Sequence, residues 1–172
     1  LGDISKATKV MHEGIKLLQD RGEKDNLAPV ALIYEGIPYL YSNTPKKAHQ
    51  YFEFISDFDP NNSWSIIGQT YKALNLGEIV KARGLVKVLE SRNIHDSEML
   101  YRFTHFYSML GDSDSALDAL ERAVDGGFFC FPYIKSDILT KDLHSLPRFK
   151  QILEKAKLRY ELYEKRFGGE IR

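Results

Sequence analysis

The chain has 172 residues, 43% hydrophobic and 28% charged, with 24 basic and 24 acidic side chains, which supports one real core and excludes a disordered chain. Zero formal net charge removes any global attraction to nucleic acid or anionic membranes, and one cysteine with five scattered histidines excludes an intrachain disulfide and a regular zinc site. No apolar run reaches the roughly 18 residues of a membrane helix and no export signal opens the chain, so a reducing, cytoplasmic compartment is expected, with the bacterial periplasm also compatible.

At the N terminus Leu1-Gly2-Asp3-Ile4-Ser5-Lys6-Ala7 reads like Leu110-Gly111-Asp112-Ser113-Asp114-Ser115-Ala116. Residues 3 to 21 are therefore expected to form the second helix of a pair whose first helix lies upstream, with a loop from Gly22 to Asn26, and 1–28 is expected to be a partial unit of a longer chain. Three units of 34 residues come next, 29–62, 63–96 and 97–130, set by Ala48, Ala82 and Ala116. Four residues beyond each alanine come Phe52, Val86 and Leu120, and seven beyond come Ile55, Leu89 and Ala123. Five before lie Asn43, Gly77 and Gly111, and sixteen before lie Leu32, Ile66 and Leu100.

Each interval has a physical reason. Gly or Asn takes the left-handed conformation that ends a first helix, and Thr44, Glu78 and Asp112 stand where a cap for the second is needed. The alanine lets two helices approach closely, and the apolar residues four and seven further on continue one buried stripe. Pro60 blocks continuation of a second helix, after which Asn61, Asn62 and Ser63 can cap the next. Beyond the repeats, Gly126-Gly127 precedes an apolar run from Phe128 to Tyr133, then short turns at 136–139 and 142–144. Pro147 to Phe167 carries helical spacing in Phe149, Ile152, Leu153, Ala156, Tyr160 and Tyr163, and closes the chain as a cap within 131–172. Charge is uneven here: residues 97–130 hold two basic and six acidic side chains, and 131–172 hold ten basic and six acidic, which predicts an attraction between neighbouring elements.

A period of 34 residues with this internal spacing resembles the tetratricopeptide repeat family. The resemblance rests on Leu32, Gly36, Tyr39, Ala48, Phe52 and Pro60 in the first unit, Ile66, Gly77 and Ala82 in the second, and Leu100, Phe103, Tyr107, Gly111, Ala116 and Ala123 in the third. Glu35, Gln69, Ala73 and Phe128 depart from the pattern, as does Pro38, which falls inside a first helix where proline usually kinks it. The resemblance implies an all-α fold, a single domain built as a right-handed superhelical solenoid of antiparallel helix pairs. Tyr133 to Phe149 also looks like the terminal segment after such repeats in bacterial multidomain proteins, among them transcription regulators and signalling enzymes.

No catalytic, cofactor or metal constellation is expected. Cys130 with His144 is the nearest to a nucleophile and base, but Phe128, Phe129 and Phe131 surround the thiol and predict an inert structural cysteine. His12, His49 and His95 lack paired ligand spacing, and Asp57 and Asp59 before Pro60 read as a solvated helix end. The resemblance instead implies a concave groove lined by Val30, Ile33, Ile37, Tyr41, Trp64, Ile67, Tyr71, Tyr101 and His105. That lining is apolar and aromatic, so the expected function is a noncatalytic interaction module for another protein or peptide with an apolar helix or segment. The alternative is a regulatory or linker domain of a larger bacterial enzyme or transcription regulator. Self-association, or the C-terminal helix folding back into the groove, are two other uses of the same surface.

Overall fold

The computed structural model describes residues 33–168 except 35, 43 and 57–60, together with positions 9, 13 and 17. Those three early positions are helical; the rest of the expected partial unit, with Val30, Leu32, Asp57 and Asp59, lies outside the described residues. Every regular element among the described residues is helical. The chain divides into two compact units, 1–92 and 93–172.

In the first unit a helical stretch over 36–41 runs through Pro38 and is followed by α1 (Pro45–Ser56), α2 (Ser63–Asn75) and α3 (Ile79–Glu90). Consecutive helices pack against one another. Their directions are set by contacts at the ends: Asn75, closing α2, donates to the Pro45 carbonyl that opens α1 (2.9 Å), and Arg92, just past α3, reaches back to Ser63 Oγ at the start of α2 (3.1 Å). Both pairs are therefore antiparallel hairpins. Glycine permits the close approach: a Cβ on Gly36 would stand 2.6 Å from the Phe52 ring, and one on Gly68 2.5 Å from Ile55 Cγ2.

The 34-residue period is the period of the core. Ala48, Ala82 and Ala116 are each 0% exposed, and Phe52, Ile55, Val86, Leu89, Leu120 and Ala123 are buried beside them. Gly77 (φ 71°) and Gly111 (φ 74°) end first helices in the left-handed region. Around each, two crossed bonds satisfy the last carbonyls: Glu78 N to Ala73 O (2.8 Å) with Gly77 N to Leu74 O (3.1 Å), and Asp112 N to Tyr107 O (2.9 Å) with Gly111 N to Ser108 O (3.0 Å). Thr44 N to Tyr39 O (2.9 Å) repeats the longer bond one period earlier. Side-chain caps fall on Asn62, Asp96 and Asp112, which accept from the amides of Trp64, Met99 and Ser115. Glu78, expected as a cap, makes no such bond and instead pairs with Lys81 at 3.0 Å.

The second unit contains α4 (Ser97–Met109), α5 (Ser113–Gly126), α6 (Phe131–Ser136), a 3-10 helix (Ile138–Leu143) and α7 (Pro147–Phe167). Ser97 stands against Gly126, so α4 and α5 also pair antiparallel. The basic closing helix lies along the acidic α5: Arg148 meets Asp118 (2.7 Å) and Glu121 (2.6 Å), Lys155 meets Asp125, and Arg159 donates to the carbonyls of Val124 and Asp125. The opposed charges of the sequence thus meet within this unit.

Candidate functional site

Tyr101 and His105 stand one turn apart on α4, whose N-terminus Asp96 fixes by capping. Facing them is Asp137, the link between α6 and the 3-10 helix. Its Oδ1 accepts from the Leu139 amide (2.9 Å), which starts the 3-10 turn. Its Oδ2 accepts from the Tyr101 hydroxyl (2.8 Å) and from His105 Nε2 (2.6 Å). Tyr101 and His105 are 0% exposed and Asp137 is 2% exposed, so the group is sealed from solvent.

Burial alone would raise the Asp137 carboxyl, but the His105 imidazole and the hydrogen bonds from His105, Tyr101 and the Leu139 amide outweigh it and hold it at about 2, below the ordinary 3.8. Burial first, and then the neighbouring carboxylate, push the Tyr101 hydroxyl well above its usual value. The carboxylate is thus ionised and hydrogen-bonded on both oxygens, the arrangement in which a buried charge is tolerated. The rings of Phe128 (4.5 Å) and Tyr133 (5.6 Å) pack on Tyr101, and His105 meets it edge-on at 4.9 Å. A His-Asp pair of this kind orients a base in many enzymes, but here His105 is enclosed among these side chains, and the arrangement holds chain to chain.

The positions expected to line a groove separate sharply in accessibility. Ile33, Ile37, Ile67, Tyr71, Tyr101 and His105 are interior, each 0–4% exposed, because neighbouring helices or the C-terminal segment cover them. Tyr41 and Trp64 are half-buried, and Val30 lies outside the described residues. On α2, Trp64, Ile67 and Tyr71 share one face; Tyr71 stacks on Phe52 (5.2 Å), and Trp64 in the first turn is the accessible end of that stripe.

Over α4, the inner face is occupied by the segment containing α6 and the 3-10 helix; α7 packs elsewhere, on α5 and α6. Sequence reasoning reads this segment as turns and does not single out Asp137. The available signal is the spacing of Ile134, Asp137, Thr140 and Leu143, three residues apart, which is the repeat of a 3-10 turn.

Cys130 corrects another expectation. Its aromatic neighbours do not enclose it: Phe128 turns to Tyr101 and Phe129 to Tyr163 (5.0 Å) and the Arg159 guanidinium (4.5 Å), leaving the thiol-bearing residue exposed before α6. His144 stacks on Phe149 (4.6 Å) and lies 3.3 Å from Thr140 Oγ1. Among the described residues, no three His, Cys, Asp or Glu side chains converge to hold a metal ion, and no helix is long and apolar enough to cross a membrane.

No protein-family model matches the chain, and no curated protein matches it. Among solved structures it is similar to one described as the crystal structure of MamA, with 18% identity over 95% of this chain and 92% of that one, and a TM-score of 0.48.

Proposed function

We propose that the chain is a noncatalytic protein-interaction module that receives an apolar helix or peptide segment on its first unit, at a surface centred on Trp64. Its helix pairs are repeat-like scaffolds, and the strongest support for the reading is Trp64 itself. It is a large aromatic ring left partly accessible at the end of a stripe whose inner members, Ile67 and Tyr71, are rigidly buried. Interface energy concentrates in such preordered aromatic anchors. Ile67 and Tyr71, buried on the same face of α2, hold the ring's helix in place from beneath.

Trp64 is the single tryptophan of the chain, so its emission reports directly on the surface. Amphipathic helical peptides selected from a display library on the full chain should shift that emission to the blue. Trp64→Ala should weaken their binding about tenfold or more, the effect of losing a hot-spot aromatic, with helical circular dichroism unchanged. Peptides that bind Trp64→Ala as tightly as the parent would remove Trp64 from the surface.

A further inference from the structure

We propose that the segment Phe131–Leu143 is a tethered ligand, and that the inner face of α4 is a docking site for a short stretch of chain presenting one carboxylate between two apolar anchors. Four residues of the segment, three apart, are buried, Ile134 (0% exposed), Asp137 (2%), Thr140 (1%) and Leu143 (1%), and its 3-10 stretch packs on α4. Between them Lys135, Ser136, Lys141 and Asp142 are exposed, so one face of the segment is engaged and the other is solvated. Over the 3-10 stretch this is the pattern of a bound amphipathic peptide.

The polar centre is built as a recognition site. Tyr101 and His105, both fully buried on α4, converge on a single carboxylate oxygen at 2.8 and 2.6 Å. Removing that carboxylate would leave two buried polar groups without this partner, which makes the face selective for an acidic side chain. The segment meets α7 through α6, where the Phe131 and Tyr160 rings stand 6.5 Å apart, but α7 does not depend on that contact alone. Gly127 (φ 128°) turns the chain after α5, and α7 has its own ties to α5 through Arg148, Lys155 and Arg159.

The occupant that fits is a peptide with aspartate, an apolar residue three before it and another six after it, as in Ile134, Asp137 and Leu143. In the resting chain the tethered copy competes with it. The inference is independent of the Trp64 surface, and Trp64→Ala should leave it unchanged.

The probe is a synthetic peptide of residues 129–146, titrated against the full chain and against full-length Asp137→Ala, with hydrogen exchange as the structural readout. Asp137→Ala should lose protection across 131–143 while α5 keeps its own. The variant should then bind the peptide about 10 to 100 times more tightly than the parent chain, whose own segment holds the site at high effective concentration. A peptide with asparagine for Asp137 should bind at least about tenfold more weakly, and this preference should shrink in the doubly substituted chain Asp137→Ala, His105→Gln, where Tyr101 is left as the aromatic donor. Asp137→Asn, which keeps the side chain's volume, is the milder form of the same test. Loss of α5 protection together with the segment would overturn the proposal, as would peptides with Asp and Asn that bind alike, or an opened segment with no peptide binding.

Discussion

Asp137 carries a formal charge into the interior of the second unit and keeps it because three donors are arranged around two oxygens. That arrangement has a thermodynamic consequence which can be signed. The folded carboxyl sits at about 2 and the ordinary value is 3.8, so the folded state binds the proton less readily than the unfolded chain. Stability from this group is fully present above the ordinary value and is lost as pH falls from about 4 toward 2, by about 2 kcal/mol at 1.36 kcal/mol per unit of displacement. Urea unfolding at several pH values, followed by far-ultraviolet circular dichroism, should show this acid-side loss in the parent chain, and Asp137→Asn should flatten that part of the slope. An unchanged slope in the variant would mean that other carboxylates govern the acid transition. Tyr101, displaced upward, stays neutral and remains a donor throughout this range.

At the scale of helices, one substitution has opposite signs at two positions. Gly68 lies in α2 where an added Cβ would meet Ile55 Cγ2 at 2.5 Å and Cβ at 3.0 Å, atoms near the stem of a branched side chain that cannot swing away. Gly68→Ala should destabilise by about 1–3 kcal/mol through overpacking, more than the gain of about 1 kcal/mol that alanine brings to a helix interior. Gly84 lies in α3 with nothing within 4 Å of the same atom, so Gly84→Ala should stabilise by about 0.5–1 kcal/mol. Urea midpoints of the two variants, measured side by side, check both signs.

Helices and turns of this kind are legible in sequence because their causes are local or periodic. Gly77 and Gly111 mark helix ends by backbone freedom, and Ala48, Ala82 and Ala116 mark the buried side of every second helix. Pro147 to Phe167 is readable by its own spacing and matches α7 in both bounds. Tyr101 and His105 are legible as inward-facing residues but not as covered ones. Their partner Asp137 lies more than 30 residues away in sequence, and a three-residue spacing with two polar members announces neither an amphipathic helix nor a strand. Gly68 is invisible for a similar reason, since the residue it accommodates belongs to the preceding helix and no repeat position requires it.

Over the whole molecule the zero net charge is a sum of opposed blocks, and within the second unit those blocks have found each other. Arg148 is the clearest case: one guanidinium spans Asp118 at 2.7 Å and Glu121 at 2.6 Å, which hold its own proton still more firmly than usual. These groups are partly exposed, so each pair contributes little in water by itself. Their role is directional, because the acidic residues of α5 offer α7 one register in which its basic residues are answered and its apolar face, Phe149, Ile152 and Ala156, is buried. Arg148→Glu sets a third carboxylate against two and should lower the thermal midpoint more than Arg148→Ala, which only removes the attraction. The excess should be largest at low ionic strength and should shrink in 1 M salt, where screening acts over about 3 Å instead of the roughly 10 Å of 0.1 M. Thermal melts of the parent and both variants at 10 mM and 1 M sodium chloride make the comparison. A gap between the two variants that ignores salt would assign the position to packing of the arginine stem rather than to charge.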